Sequence, residues 1–206
     1  MHAAAARGAT WVEFDVRPAA DDVLVVHHDP TTADGRVIAE TPSGDLADVA
    51  DTFEALVAAT ALGLDVEVKT DRTGRDTDAL ASLVVDALNA HVSPERMGSM
   101  VVTSFDWAFL DALRSNTTQF ETGLLFTDRL LVDAVAVATE RGHSVVAPWH
   151  PLVDRAGVEA AHAAGLTVAT WTVNEAADIA KVIGAGVDMI IGDDPAEIVA
   201  GLAAAG

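Results

Sequence analysis

Trp11-Val12-Glu13-Phe14-Asp15-Val16 is the stretch from which the rest of the chain can be read. It is apolar and β-type except for two carboxylates, and charge left unpaired in such a segment is costly. Side chains alternate faces along a strand, so Glu13 and Asp15 share one face while Val12, Phe14 and Val16 share the other. The pattern returns in Leu64-Asp65-Val66-Glu67-Val68-Lys69, where Asp65, Glu67 and Lys69 alternate with Leu64, Val66 and Val68. Between the two, His27-His28-Asp29 follows directly on the apolar run Val23 to Val26. Two strand carboxylates, a loop histidine, then a further carboxylate and a lysine outline one active site. Side-by-side anionic oxygens suit a hard divalent cation.

Beyond the opening motif, short apolar runs alternate with Ala-rich stretches of helical character. Strands are predicted near 10–16, 64–69, 99–104, 121–126, 144–147, 166–173 and 188–191, and helices near 47–62, 76–90, 106–115, 129–141, 153–164, 175–184 and 195–204. Helix-start signals agree with this alternation: Asp106 after Ser104-Phe105, Asn174 after Thr172-Val173, and Asp194-Pro195-Ala196-Glu197, in which a cap, a first-turn proline and a capping-box glutamate stand in order. Strands alternating with helices imply a parallel sheet.

Seven strands are one fewer than a closed (β/α)8 barrel needs, and 206 residues fall short of its typical ~250. The Ala-rich opening, His2 to Gly8, reads as the end of a helix whose own strand lies upstream. The expected fold class is therefore α/β, a (β/α)8 TIM-type barrel whose first β-strand is missing from this chain, in a single domain over residues 1–206. The stretch 17–46, rich in Asp, Pro, Gly and Thr, is expected to be a long loop that builds or covers the active site.

Composition sets outer limits. Half of the residues are hydrophobic and 21% are charged, a globular balance. No apolar run approaches the roughly 18 residues of a membrane span, and the amino terminus lacks the apolar core of a secretory signal, so a cytoplasmic location is expected. A formal net charge of −20 argues against nucleic acid or an anionic lipid surface as a partner, since a phosphate backbone would be repelled at long range. The absence of cysteine excludes disulfides, thiolate metal sites and thiol nucleophiles. Only two lysines occur, Lys69 and Lys181, which makes a lysine placed in a strand beside Glu67 notable.

The ordered set Gly8-Ala9-x-x-Val12-Glu13-x-Asp15-Val16, Val25-Val26-x-His28-Asp29, Val66-Glu67-Val68-Lys69, Ser104-Phe105-Asp106, Trp171-Thr172-Val173-Asn174 and Gly186-Val187-Asp188-Met189-Ile190-Ile191-Gly192-Asp193 resembles the glycerophosphodiester phosphodiesterase family over nearly the whole chain. The resemblance implies metal-dependent hydrolysis of a small-molecule glycerophosphodiester to glycerol 3-phosphate and an alcohol. It implies Glu13, Asp15 and Glu67 as metal ligands, His28 as one of two catalytic histidines, Lys69 as a catalytic and substrate-binding cation near the phosphate, and Trp171 as a substrate-binding residue. His27 is not demanded by the pattern. The family's opening His-Arg-Gly and a later Pro-Glu-Asn-Thr element have no counterpart here, and only twelve residues precede Glu13. A second acid/base histidine, a phosphate-contacting arginine and a further glutamate are accordingly expected upstream. The chain as given is expected to turn over poorly and to self-associate through the barrel edges Trp11 to Val16 and Met189 to Ile191.

A phosphodiester anion repels nucleophiles and expels an alkoxide, so the reaction needs a cation at the non-bridging oxygens and an acid for the leaving group. Three carboxylates without cysteine or paired histidines favour one Mg²⁺ or Ca²⁺ over zinc. His28 is the natural proton carrier, because imidazole is the side chain suited to giving and taking protons near neutral pH. A different class of function is a catalytically impaired barrel that keeps the metal site and binds phosphodiesters without turnover. A third is another Mg²⁺-dependent barrel enzyme, against which the His28-Asp29 spacing and the Trp171 to Asn174 strand count. Trp149-His150-Pro151 is expected near the barrel mouth, Phe105 at its rim, and His91, His143, His150 and His162 at the surface or in loops.

Overall fold

The computed structural model describes residues 2–117 and 119–205. In chain order the elements are α1 (His2–Ala6), β1 (Trp11–Pro18), β2 (Leu24–Val26), α2 (Phe53–Ala59), β3 (Gly63–Val68), α3 (Thr77–His91), α4 (Pro94–Met97), β4 (Met100–Ser104), α5 (Trp107–Asn116), β5 (Glu121–Phe126), α6 (Leu131–Arg141), β6 (Val145–Pro148), α7 (Arg155–Ala163), β7 (Thr167–Thr170), α8 (Ala176–Ala185), β8 (Met189–Ile190) and α9 (Pro195–Ala205). They form two compact units, one of Trp11–Phe120 and one of His2–Thr10 with Glu121–Gly206.

In the first unit β1 lies between an antiparallel β2 and a parallel β3, and β3 pairs in parallel with β4. The predicted strands and helices recur within a few residues, and the first unit adds the short α4 and the structure within 17–46. Residues 17–46, expected as loop, contain β2, two 3-10 helices and a small core of Ala19, Val25, Ile38 and Leu46. Three strand residues pair Val16–Pro18 with Leu24–Val26, and burying Val25 and Ile38 compensates the entropy of ordering so long a connection. The predicted helix 47–62 shrinks to α2, where Thr52 caps Ala55 N–H at 3.2 Å. Asp76 and Asp106 cap α3 and α5 in the same way.

The faces of β1 divide as the sequence pattern requires. Phe14 and Val16 are buried, with Phe14 packed on Phe53 of α2 at a ring separation of 6.2 Å, while Glu13 and Asp15 project from the other side. At the head of the β1–β3 pair the Trp11 indole lies directly on Gly63. A Cβ there would come within 2.4 Å of the ring, so the close approach needs glycine.

In the second unit β5, β6, β7 and β8 pair successively in parallel, with α6, α7 and α8 in the connections. α6 and α8 end on Gly142 and Gly186 in the left-handed conformation. Asn174 departs from the expected capping role: the N-cap of α8 is Glu175, and Asn174 instead exchanges hydrogen bonds with Asp193, donating from Nδ2 at 2.7 Å and accepting from the Asp193 N–H at 2.9 Å. His143 is a second departure. It is 2% exposed rather than superficial, and its Nδ1 pairs with Thr122 Oγ1 at 2.8 Å, a partner that makes its burial affordable.

Candidate metal and active centre

The parallel register sets Glu13 opposite Asp65 and Asp15 opposite Glu67, so two acidic pairs stand side by side. One carboxylate oxygen from each of Glu13, Asp15 and Glu67 falls within 4.8 Å of the other two. Hard oxygen donors this close suit a divalent cation of the Mg²⁺ or Ca²⁺ kind, and the three residues named from sequence are the three brought together.

Lys69, just past the end of β3, is steered back into the cluster because its N–H continues the ladder onto Val16 O at 3.1 Å. Its Nζ lies 2.9 Å from Asp15 Oδ1 and also contacts Glu67 Oε1. Burial alone would push the Lys69 pKa down, but the hydrogen bonds and charges of Glu67 and Asp15 override it and raise the net value. The half-exposed Phe105 ring sits 5.9 Å from the ammonium.

One ammonium does not neutralise four carboxylates. Glu13 is pushed up to about 8, first by burial and then by Asp15, Asp65 and Glu67. Burial likewise raises Glu67, against the opposing pull of Lys69. Asp65 is pushed up to about 7 by burial and the neighbouring carboxylates, although Thr103 Oγ1 donates to its Oδ1 at 2.7 Å. Sequence reading gave Asp65 no place in the site. The signal was present, since Asp65 shares the face of Glu67 and Lys69. At 2% exposure Asp65 stands behind the cluster and adds negative potential to it.

His28 occupies the connection after β2. The preceding His27 N–H donates to Asp15 O at 3.1 Å, which ties this segment to the strand carrying two of the carboxylates. The His28 ring is open to solvent, and its Nδ1 is 2.9 Å from Asp29 Oδ1. Asp29 is lowered by that hydrogen bond, so it is a carboxylate acceptor, Nδ1 is assigned the proton, and Nε2 is left free. His27 turns its Nδ1 to Asp29 O at 2.8 Å.

In the second unit Trp171 is half-buried beyond the end of β7, and its indole Nε1 donates to Ala147 O at 2.9 Å. Trp149 is exposed, and His150 opens a 3-10 helix with its ring 3.8 Å from Asp178. His162 pairs with Asp188 at 3.0 Å.

A cluster of carboxylates and one lysine on adjacent parallel strands, with an exposed histidine on a segment tied to one of those strands, has a chemistry suited to phosphate. The glycerophosphoryl diester phosphodiesterase family model matches residues 1–197. The chain belongs to that family and is an enzyme of the phosphoric diester hydrolase class. Among solved structures, the fold is similar to a glycerophosphodiester phosphodiesterase from Parabacteroides distasonis, with 22% identity, a TM-score of 0.85, and coverage of 99% of this chain and 87% of that one. It is also similar to an Oleispira antarctica phosphodiesterase in complex with the product sn-glycerol-3-phosphate, with 20% identity, a TM-score of 0.84, and coverage of 98% and 88%. No curated protein matches the chain.

Proposed function

We propose that the chain hydrolyses glycerophosphodiesters to glycerol 3-phosphate and an alcohol in a metal-dependent reaction on a scaffold of the (β/α)8 phosphodiesterase kind. The observation that carries this reading is the convergence of Glu13, Asp15 and Glu67 within 4.8 Å, with Lys69 on Asp15 and Glu67. Those three carboxylates would hold one Mg²⁺ or Ca²⁺, which supplies charge neutralisation at the non-bridging phosphoryl oxygens. Lys69 adds a point charge for the same oxygens. His28, with Nδ1 turned to Asp29, presents Nε2 to take or give the proton. Trp171 is assigned to substrate binding on its Trp171-Thr172-Val173-Asn174 motif alone. The product-bound Oleispira antarctica structure supports a substrate of glycerophosphate type.

A non-catalytic reading, in which the centre binds a phosphodiester without cleaving it, draws on one observation. In the first unit the His91 ring packs against Phe53 at 6.3 Å, so His27 and His28 are the described histidines of that unit on the segment tied to β1. Incubating the chain with glycerophosphocholine or glycerophosphoethanolamine and assaying glycerol 3-phosphate separates the two. Metal-stimulated release supports the hydrolase, and saturable binding without product supports the second reading.

A further inference from the structure

Arg17 lies two residues beyond Asp15 on the same face of β1 and is only 5% exposed. All three of its nitrogens are engaged. Nε donates to His28 O at 2.9 Å, Nη1 to Asp71 O at 2.9 Å and Nη2 to Asp71 Oδ1 at 2.9 Å. The two segments it joins are separate in sequence, and each carries a residue of the centre or follows one directly. One is the connection after β2 that presents His28; the other begins at Lys69 and passes through Asp71 into Arg72, whose φ of +56° is left-handed.

We propose that Arg17 is a positioning residue that sets where His28 stands relative to the carboxylates. The proposal rests on the reading of His28 as the proton carrier. Buried guanidinium is expensive, and an apolar side chain would fill the space with less desolvation. What an apolar residue cannot do is hold two carbonyls and a carboxylate from two connections with donors in one plane. β1 thereby fixes the histidine segment at two points, through His27 N–H on Asp15 O and through His28 O on Arg17, while Asp29 orients the ring. With the backbone of His28 held on the strand that carries Glu13 and Asp15, a small displacement of Arg17 shifts the His28 ring relative to that strand. Displacements of about 1 Å cost on the order of 10²-fold in rate.

The test uses the full chain and two readouts. Long-range ¹H–¹⁵N NMR of the His28 ring at fixed pH should give the Nδ1–H tautomer in the unsubstituted protein. In Arg17→Gln that signature should relax toward a solvent-averaged ring, with the rest of the spectrum retained. Arg17→Lys keeps the charge but lacks the fork, and should fail to restore the signature; it also serves as the variant to read if Arg17→Gln does not fold. In turnover, Arg17→Gln should lower kcat about 10²-fold with KM little changed, and the same change made in His28→Ala should cost almost nothing more. An unaltered His28 ring signature in both variants, or a full additional loss in the His28→Ala background, overturns the positioning role. If His28→Ala itself leaves the rate intact, the reading of His28 has failed, and that result is distinct from either outcome for Arg17.

Discussion

Lys69 Nζ sits 2.9 Å from Asp15 Oδ1 while also touching Glu67, so the ammonium at the end of one strand closes an anionic pair formed across two. With Lys69 removed, Asp15 and Glu67 would face each other without compensation. Lys69→Met should lower the melting temperature of the metal-free protein, by an amount corresponding to about 1–3 kcal/mol for stranded polar partners. It should also reduce kcat by roughly 10²–10³-fold, the scale of removing one electrostatic stabiliser. A variant as stable and active as the parent would make the lysine incidental.

Glu13 and Asp65 give the metal-free protein a pH dependence of known sign. Both carboxyls are raised on folding, from 4.5 to about 8 and from 3.8 to about 7. The folded chain therefore holds protons that the unfolded chain has released. Their favourable contribution is complete below the unfolded values and is lost as pH rises through the folded ones. The melting temperature of chelator-treated protein should fall between pH 5 and pH 8. Asp34, lowered to about 2 by Arg36, changes charge below this window. A melting temperature that climbs across the window would contradict the burial of these carboxyls.

The same proton on Glu13 competes with a cation. Apparent Mg²⁺ or Ca²⁺ affinity should rise from pH 6 toward 8 and then level off, because binding displaces protons from carboxyls that burial has raised, Glu13 and Glu67. Affinity independent of pH over that range would place the cation away from Glu13.

His28 and His27 are neighbours with different surroundings, Nδ1 of the first on the Asp29 carboxylate and Nδ1 of the second on the Asp29 carbonyl. His28→Ala should lower turnover by about 10²–10⁴-fold, while His27→Ala largely spares it. The reverse result would move the proton carrier by one residue.

Much of this centre was legible in the chain itself. Glu13, Asp15 and Glu67 could be named because strand alternation is a strictly local rule, and the β1–β3 register then brings them together. β2 was missed because Leu24–Val26 is three residues long and is ordered by packing on Ile38 and Leu46, which sequence periodicity does not report. Arg17 was overlooked, and Asn174 was read as a helix cap, for a related reason. Their partners, His28 O with Asp71 and Asp193, are set by tertiary contacts between loops. The burial of His143 followed from the same limit, since only the pairing of β5 with β6 puts Thr122 within reach.

Thr103 offers a test of the ground beneath the cluster. Thr103→Val keeps the shape but removes the hydroxyl that donates to Asp65 at 2.7 Å, leaving a buried carboxyl without it. The change should destabilise the protein by about 1–3 kcal/mol and raise the Asp65 pKa further. Denaturant unfolding at pH 7 measures the first effect. A neutral substitution would mean that Asp65 finds another donor.

The joint action of Glu13, Asp15 and Glu67 as a cation site is checked most directly by calorimetric titration of the chelator-treated protein with Mg²⁺ and with Ca²⁺. The parent chain should bind one cation saturably, and the double variant Glu13→Ala, Asp15→Ala should bind none at the same concentrations. Saturable binding that survives the double substitution would contradict the site.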